Sequence, residues 1–308
     1  MKISALPRLA LLIGLGFSLP ACSTSMSDLL GGGPDTGTTS STDSAAGQGE
    51  FQRGTGLNLG FGQAEEGDDV AKLYNKALAD LKKGYYRTAA KGFDEVERQH
   101  PYSQWATRAI LMAAYSQYMR NGYDDAINAA ERFITLHPGH KDTPYAYYLI
   151  AISYYEQIMD IKRDQSITEK ALNALDEIGT RFPNTPYAQD AANKAVLARD
   201  HLAGKEMEVG RYYLKQNALL AAINRFKTVV IKYQTTTHTP EALYRLTEAY
   251  YALGIMNEAQ TAAAVLGANY PSSDWYKDAY SLLKTGGLQP VENKDSWISK
   301  AWKAVTPG

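Results

Sequence analysis

His137 and His140, in the phrase "HPGH", are the residues whose type and spacing most suggest chemistry. Two imidazoles this close can share a divalent metal when one helix presents both on the same face. Pro138 and Gly139 lie between them, so no helix does so. His100, like His137, stands immediately before a proline. There an imidazole can accompany a helix C-terminus, whose partial charge favours cations. That structural role is preferred over a metal-dependent hydrolase. The chain carries no nucleophile elbow, zinc-protease helix, cysteine cluster, phosphate-binding Gly-Lys-Ser/Thr loop or dinucleotide fingerprint. No cofactor and no enzymatic activity are expected.

Cys22 is the only cysteine, which excludes a disulfide within the chain. Lys2 and Arg8 form a basic start, and Leu9 to Leu19 is apolar but too short to span a bilayer. "LPAC" then resembles the lipobox of bacterial lipoprotein signal peptides. That resemblance implies cleavage before Cys22 and acylation of its thiol and new amino terminus. Ser23 in place of an aspartate favours the outer membrane. Several acyl chains, each worth about 0.8 kcal/mol per buried methylene, would hold the protein firmly.

The elements that must position any site are helical. The 308 residues hold 32 basic and 33 acidic side chains, a formal charge of −1, which argues against a nucleic-acid partner. Residues 1–21 read as a signal peptide. Residues 22–67 are the acylated cysteine and a Gly/Ser/Thr tether without period. From Asp68 the apolar spacing is helical, and proline stops recur at Pro101 and Pro138, close to the tetratricopeptide (TPR) period.

With each closing proline numbered 32, small residues fall at 8 and 20, as in Ala77 with Ala89 and Ala114 with Ala126. Gly84, Asn217 and Gly254 fall at 15, where a left-handed residue can close the first helix. Larger residues at 24 and 27, such as Phe93 and Phe133, fill the space between hairpins. One hairpin cannot bury its own apolar stripe, so hairpins must stack. The third unit places Ala151 at 8, but its second helix arrives late because of an insertion over 160–167. Ser166 and Glu169 suggest a capping box to restart it. The fourth stops at Gln234, and its first helix extends back to about residue 187, with Gly204 as an expected weak joint. Thr143-Pro144, Thr185-Pro186 and Thr239-Pro240 suggest hydroxyl N-caps followed by proline.

The fold class is therefore all-α, an α-solenoid over 68–284. Its repeats run over about 70–101, 103–138, 143–183, 187–234 and 239–271, with a cap at 273–284. Residues 285–308 are a linker and an amphipathic tail. Trp297, Ile298, Ala301, Trp302 and Val305 share one face there. The tail could fold back on the solenoid end, dock on a partner or lie on a membrane.

A stacked array offers a surface lined by its first helices, chiefly at positions 2, 5, 9, 12 and 13. In the first three units those positions hold Tyr74, Leu78, Arg108, Leu111, Tyr115, Tyr118, Tyr145, Tyr148 and Tyr155. Units four and five add Met207, Arg211, Leu214, Tyr244, Glu248 and Tyr251. The tyrosine-rich set predicts a trough for an extended or helical peptide, with Arg108 for a carboxylate. The alternative for any one tyrosine is packing between hairpins.

"KGYYRTAAKGFDEVERQHPYSQWATRA", "AINAAERFITLHPGH", the third-unit insertion and "FPNTPYAQDA" resemble the outer-membrane protein assembly factor BamD family, over roughly 68–284. The resemblance implies a lipid-anchored scaffold on the periplasmic face of the outer membrane of a Gram-negative bacterium. Its implied partners are the periplasmic domains of the barrel subunit BamA, bound by the C-terminal repeats, and unfolded barrel-protein substrates, received in the N-terminal trough. The family carries an Asn-Arg pair on the second helix of its fourth unit, which Asn224-Arg225 match. The tether and tail are longer than the family pattern and inherit no role from it. A periplasmic TPR protein coordinating peptidoglycan synthesis with envelope constriction is the competing reading. Such proteins begin with a coiled coil, and no heptads precede the repeats here.

Overall fold

The computed structural model describes residues 69–305; Cys22 and the tether lie outside them. The described residues form twelve α-helices and no strand. Five antiparallel hairpins follow in order: α1 (Asp69–Lys82) with α2 (Tyr86–Gln99), then α3 (Gln104–Met119) with α4 (Tyr123–Leu136). Next come α5 (Thr143–Tyr155) with α6 (Ser166–Arg181), α7 (Pro186–Lys215) with α8 (Leu219–Lys232), and α9 (Thr239–Ala252) with α10 (Met256–Asn269). α11 (Asp274–Thr285) caps the row against α9 and α10, and α12 (Trp297–Val305) is the tail.

The turns have one cause. Gly84, Asn121, Asn217 and Gly254 have φ of 80°, 64°, 58° and 77°. All four stand at position 15, so four of the five first helices end in a left-handed residue that Gly or Asn tolerates, α5 being the exception. The second helices also end alike. His100, His137, Phe182, Tyr233 and Tyr270 are C-caps, each donating its N–H to the carbonyl four residues back, at position 27. His137 and His140 pack against the ring of Phe133 at 5.5 and 5.6 Å.

Close approach of the paired helices follows from the small residues. A Cβ on Gly210 would overlap the ring of Phe226, and one on Gly92 would come within 2.8 Å of the Ala77 methyl. Phe93, Phe133 and Phe226 are fully buried between hairpins. Two hydrophobic cores result, one in the first three hairpins and one in the last two with α11 and the tail. α7 joins them, giving Ala191 and Ala195 to the first core and Ala203 and Met207 to the second. Its 30 residues span about 45 Å.

The long helix expected from about residue 187 is α7, which runs unbroken through Gly204; the missing Cβ of Gly204 leaves room for His238, whose Nε2 would lie 3.1 Å away. Two expectations need correction. The threonines do not cap their helices. The hydroxyls of Thr143, Thr185 and Thr239 donate back to the carbonyls of His137, Phe182 and Tyr233 at 3.0, 2.8 and 3.0 Å. Those are the C-cap carbonyls of α4, α6 and α8, which have lost their intrahelical donors. Each hydroxyl therefore clasps a repeat to the one before it. Ser166 is also not a cap. It is the first residue of α6, and its hydroxyl donates to Asp164. Gln165 organises the insertion instead. Its amide donates to the carbonyls of Asp160 and Arg163, and its side-chain carbonyl accepts from Thr168.

Candidate functional site

The predicted trough is largely closed. Tyr74, Leu78, Leu111, Tyr115, Tyr145 and Tyr148 are buried, none more than 6% exposed. The reading of these six as an open docking strip is therefore corrected: they are packing between hairpins. Tyr74 sits edge-on to Phe93 at 5.4 Å and tilted to Trp105 at 5.3 Å. Tyr145 and Tyr148 both contact Tyr187 of the next hairpin, at 5.6 and 5.2 Å. The Tyr148 hydroxyl donates to Asp190 at 2.6 Å, and Lys194 pairs with that carboxylate at 2.7 Å. A tyrosine bundle with an inward polar tip thus binds α5 to α7.

Burial has electrostatic consequences. It pushes the Tyr74 phenol up to about 12, partly opposed by the positive charge of Arg108. Burial also raises Tyr148, with the hydrogen bond to Asp190 adding to the effect, and raises the fully enclosed Tyr145 well above its ordinary value. Phenols resist ionisation where the anion cannot be solvated.

Arg108, Tyr118 and Tyr155 remain half-exposed at the rim. Arg108 lies 5.3 Å over the Trp105 ring, Tyr118 donates to Glu156 at 3.4 Å, and Lys194 lies 5.7 Å from the Tyr155 ring. In the last two units, ion pairs fill the corresponding face. Arg211 pairs with Glu241 at 2.8 Å, and Arg245 pairs with Glu248 at 2.9 Å.

The opposite side of the row is more open. First helices α1, α3, α5 and α7 touch in succession, whereas second helices make no comparable contact with one another. Grooves therefore separate the second helices. Within the fourth hairpin, between the end of α7 and α8, a groove of about 250 Å³ is lined by Tyr213, Ala221, Asn224, Arg225 and Thr228. Asn224 and Arg225 are both exposed, and Arg225 reaches Glu206 of α7 at 3.3 Å. This brings the predicted pair together with Tyr213, which sequence reasoning missed; its place at position 11, facing the second helices, was the available signal.

The tail helix fills the groove between α8 and α10. Ile298 is fully buried there. The Trp297 indole N–H donates to the Tyr250 hydroxyl at 3.0 Å, and Lys227 lies 4.8 Å over the indole ring. Ser296 donates to Glu258 at 2.5 Å, and the Gln234 amide donates to the Ala301 carbonyl at 2.9 Å. The tail thus folds back along the side of the row and not over its end, which α11 covers.

No cluster of three or more His, Cys, Asp or Glu side chains able to hold a metal occurs among the described residues. No helix among them is long and apolar enough to cross a membrane. Stacked hairpins closed by left-handed residues at position 15, with small residues at their crossings, define a TPR-type α-solenoid. The family model for the YfiO outer-membrane lipoproteins matches residues 66–266. The outer membrane protein assembly factor BamD of Caulobacter vibrioides is 53% identical over 222 residues, covering 72% of this chain and 73% of the relative. Its namesake in Rickettsia prowazekii is 47% identical over 215 residues, covering 70% and 86%. That of Neisseria meningitidis serogroup A is 35% identical, covering 68% and 83%. The chain belongs to this YfiO/BamD family of outer-membrane lipoproteins.

Proposed function

We propose that this chain is a lipid-anchored scaffold for assembling outer-membrane proteins, held at the periplasmic face of the outer membrane through acylated Cys22. Its kinship with relatives named as assembly factors supports the process. The groove at Asn224 and Arg225 supports the partner site, where the fourth hairpin would grip the periplasmic domains of a BamA-like barrel subunit. The observation that carries this assignment is the state of Arg225. Its side chain is 44% exposed and held only by long contacts from one nitrogen to the two carboxylate oxygens of Glu206, at 3.3 and 3.4 Å. With its arginine side open to solvent and its geometry long, such a pair contributes only about 0–1 kcal/mol, so the guanidinium can exchange Glu206 for a partner carboxylate at little cost.

Unfolded barrel substrates would be received at the rim formed by Arg108, Tyr118 and Tyr155, where aromatic faces and a cation remain accessible. No bond chemistry is needed. The anchor confines the scaffold to the membrane and raises its effective concentration near the insertion machinery.

Co-purification of the acylated protein from its native envelope in mild detergent tests the reading. Recovery of the BamA-like subunit is expected, and its absence would overturn the partner assignment. For the substrate rim, the paired changes Tyr118→Ala and Tyr155→Ala should reduce crosslinking to a barrel-derived C-terminal peptide. Unchanged crosslinking would reject that surface.

A further inference from the structure

The groove between α4 and α6 is the repeat counterpart of the one that α12 fills. About 550 Å³ in volume, it is floored by Tyr147, Ile150 and Tyr154 of α5. Counted by repeat position, these correspond to Leu243, Leu246 and Tyr250 of α9. The α9 residues are buried, Leu243 and Leu246 completely, whereas the three on α5 are half-exposed. Tyr154 stands where Tyr250 accepts the Trp297 indole. Ile134 on the α4 wall matches Val230 on α8, and Ala174 on the α6 wall matches Ala262 on α10. The apolar shape that holds a helix in one groove is thus repeated in the other.

The charges at the two ends of this pattern are exchanged. Lys227, which covers the Trp297 ring, corresponds to Glu131; Glu258, which receives the Ser296 hydroxyl, corresponds to Lys170. Val265 corresponds to Glu177, on the wall of the open groove. Glu177 pairs with Arg181 at 2.8 Å, and that guanidinium donates to the Tyr147 hydroxyl at 2.9 Å. Lys170 lies 5.8 Å from the Tyr154 ring. A helix seated like α12 would bring its N-terminus to Lys170, where a cation opposes the helix dipole unless an acidic N-cap answers it. The chain's own tail, with Ser296 at that point, does not match. The preceding groove, between α2 and α4, is bridged by Arg132 and Glu97 at 2.6 Å.

We propose that the groove between α4 and α6 docks an amphipathic helix of a partner protein, one with an acidic N-cap, an aromatic residue in its first turn and basic flanks. The acid meets Lys170, the aromatic ring packs over Tyr154, and the basic flanks meet Glu131. Opposite charges at matched positions exclude the tail and admit the partner, which is specificity by repulsion as well as attraction. This inference is independent of the function proposed for Asn224 and Arg225.

The test uses the full chain and two side-chain-stapled helical peptides of residues 292–305, one native and one carrying Ser296→Asp, each with a fluorophore. The Ser296→Asp peptide should bind about tenfold more tightly than the native one, a difference of about 1.4 kcal/mol. The double change Glu131→Lys with Lys170→Glu, both at exposed positions, should reverse that preference. Ala174→Arg should abolish binding of the Ser296→Asp peptide, with circular dichroism verifying that the variant is folded. The idea fails if neither peptide binds, if the preference survives the charge exchange, or if crosslinks map to α8 and α10.

Discussion

The indole of Trp297 donates to the hydroxyl of Tyr250 across 3.0 Å, joining two residues 47 positions apart in sequence. Lys227 lies 4.8 Å over the face of the ring. The tail helix is thereby fastened to α8 and to α9, and Tyr250 is left only 8% exposed. The last two hairpins consequently share a core with residues that lie beyond the capping helix.

Removing that anchor should destabilise the C-terminal half. Trp297→Phe keeps much of the ring contact and loses the hydrogen bond, costing about 1 kcal/mol. Trp297→Ala also loses packing and should cost about 2–4 kcal/mol, somewhat below full burial because the ring is half-exposed. Urea denaturation followed by circular dichroism measures both. Equal stability of Trp297→Ala and the parent would show that the tail does not support the hairpins.

Two glycines in helices should respond in opposite directions. Gly210→Ala drives a methyl into the Phe226 ring and should cost about 1–3 kcal/mol. Gly179, in α6, has nothing within 4 Å of an added Cβ. Gly179→Ala should therefore stabilise by about 0.5–1 kcal/mol. Thermal denaturation of the two variants checks the signs.

The buried phenols predict an alkaline limit. Below pH about 10, folded and unfolded chains both retain these protons. Above it the unfolded chain releases them first, while Tyr74 holds its proton to about 12 and burial keeps Tyr145 and Tyr148 protonated as well. The unfolded state then binds fewer protons, so stability falls as pH rises through this window. Melting temperature should be flat from pH 8 to about 9.5 and drop steeply above about 10. Part of the phenolate absorbance should appear only on unfolding.

Much of the hairpin pattern was legible because its determinants are local. Gly84, Asn217 and Gly254 sit in the turn that needs them, and prolines follow the helix ends. The insertion in the third unit was legible for the same reason. What failed was direction. Thr143 and Thr239 have the right type for an N-cap, but the preceding C-cap carbonyl lies within reach and takes the hydroxyl. Tyr148 could have faced solvent, but Asp190, 42 residues later, draws its hydroxyl inward. A tyrosine suits either environment, so its identity alone does not separate packing from recognition. The groove at Tyr154 and Lys170 was missed because it is made by three helices of two hairpins.

The threonine clasps are open to direct measurement. Thr143→Val and Thr239→Val each remove a buried hydroxyl that donates to a helix-terminal carbonyl of the preceding repeat. Each should cost about 1 kcal/mol, and Ser103→Ala, which removes the hydroxyl cap on the α3 Ala106 N–H, a similar amount. Stability equal to the parent in both threonine variants would mean that the clasps do not hold the repeats together.

The central claim is that the groove at Asn224 and Arg225 grips the barrel subunit. Isothermal titration of the purified chain with the periplasmic domains of the BamA-like subunit from the same organism tests it most directly. Arg225→Glu should weaken binding by at least about tenfold, the expected loss when one partner of a desolvated charge pair is reversed. Glu131→Lys, in a different groove, should leave it unchanged. Equal affinity of Arg225→Glu and the parent would contradict the account.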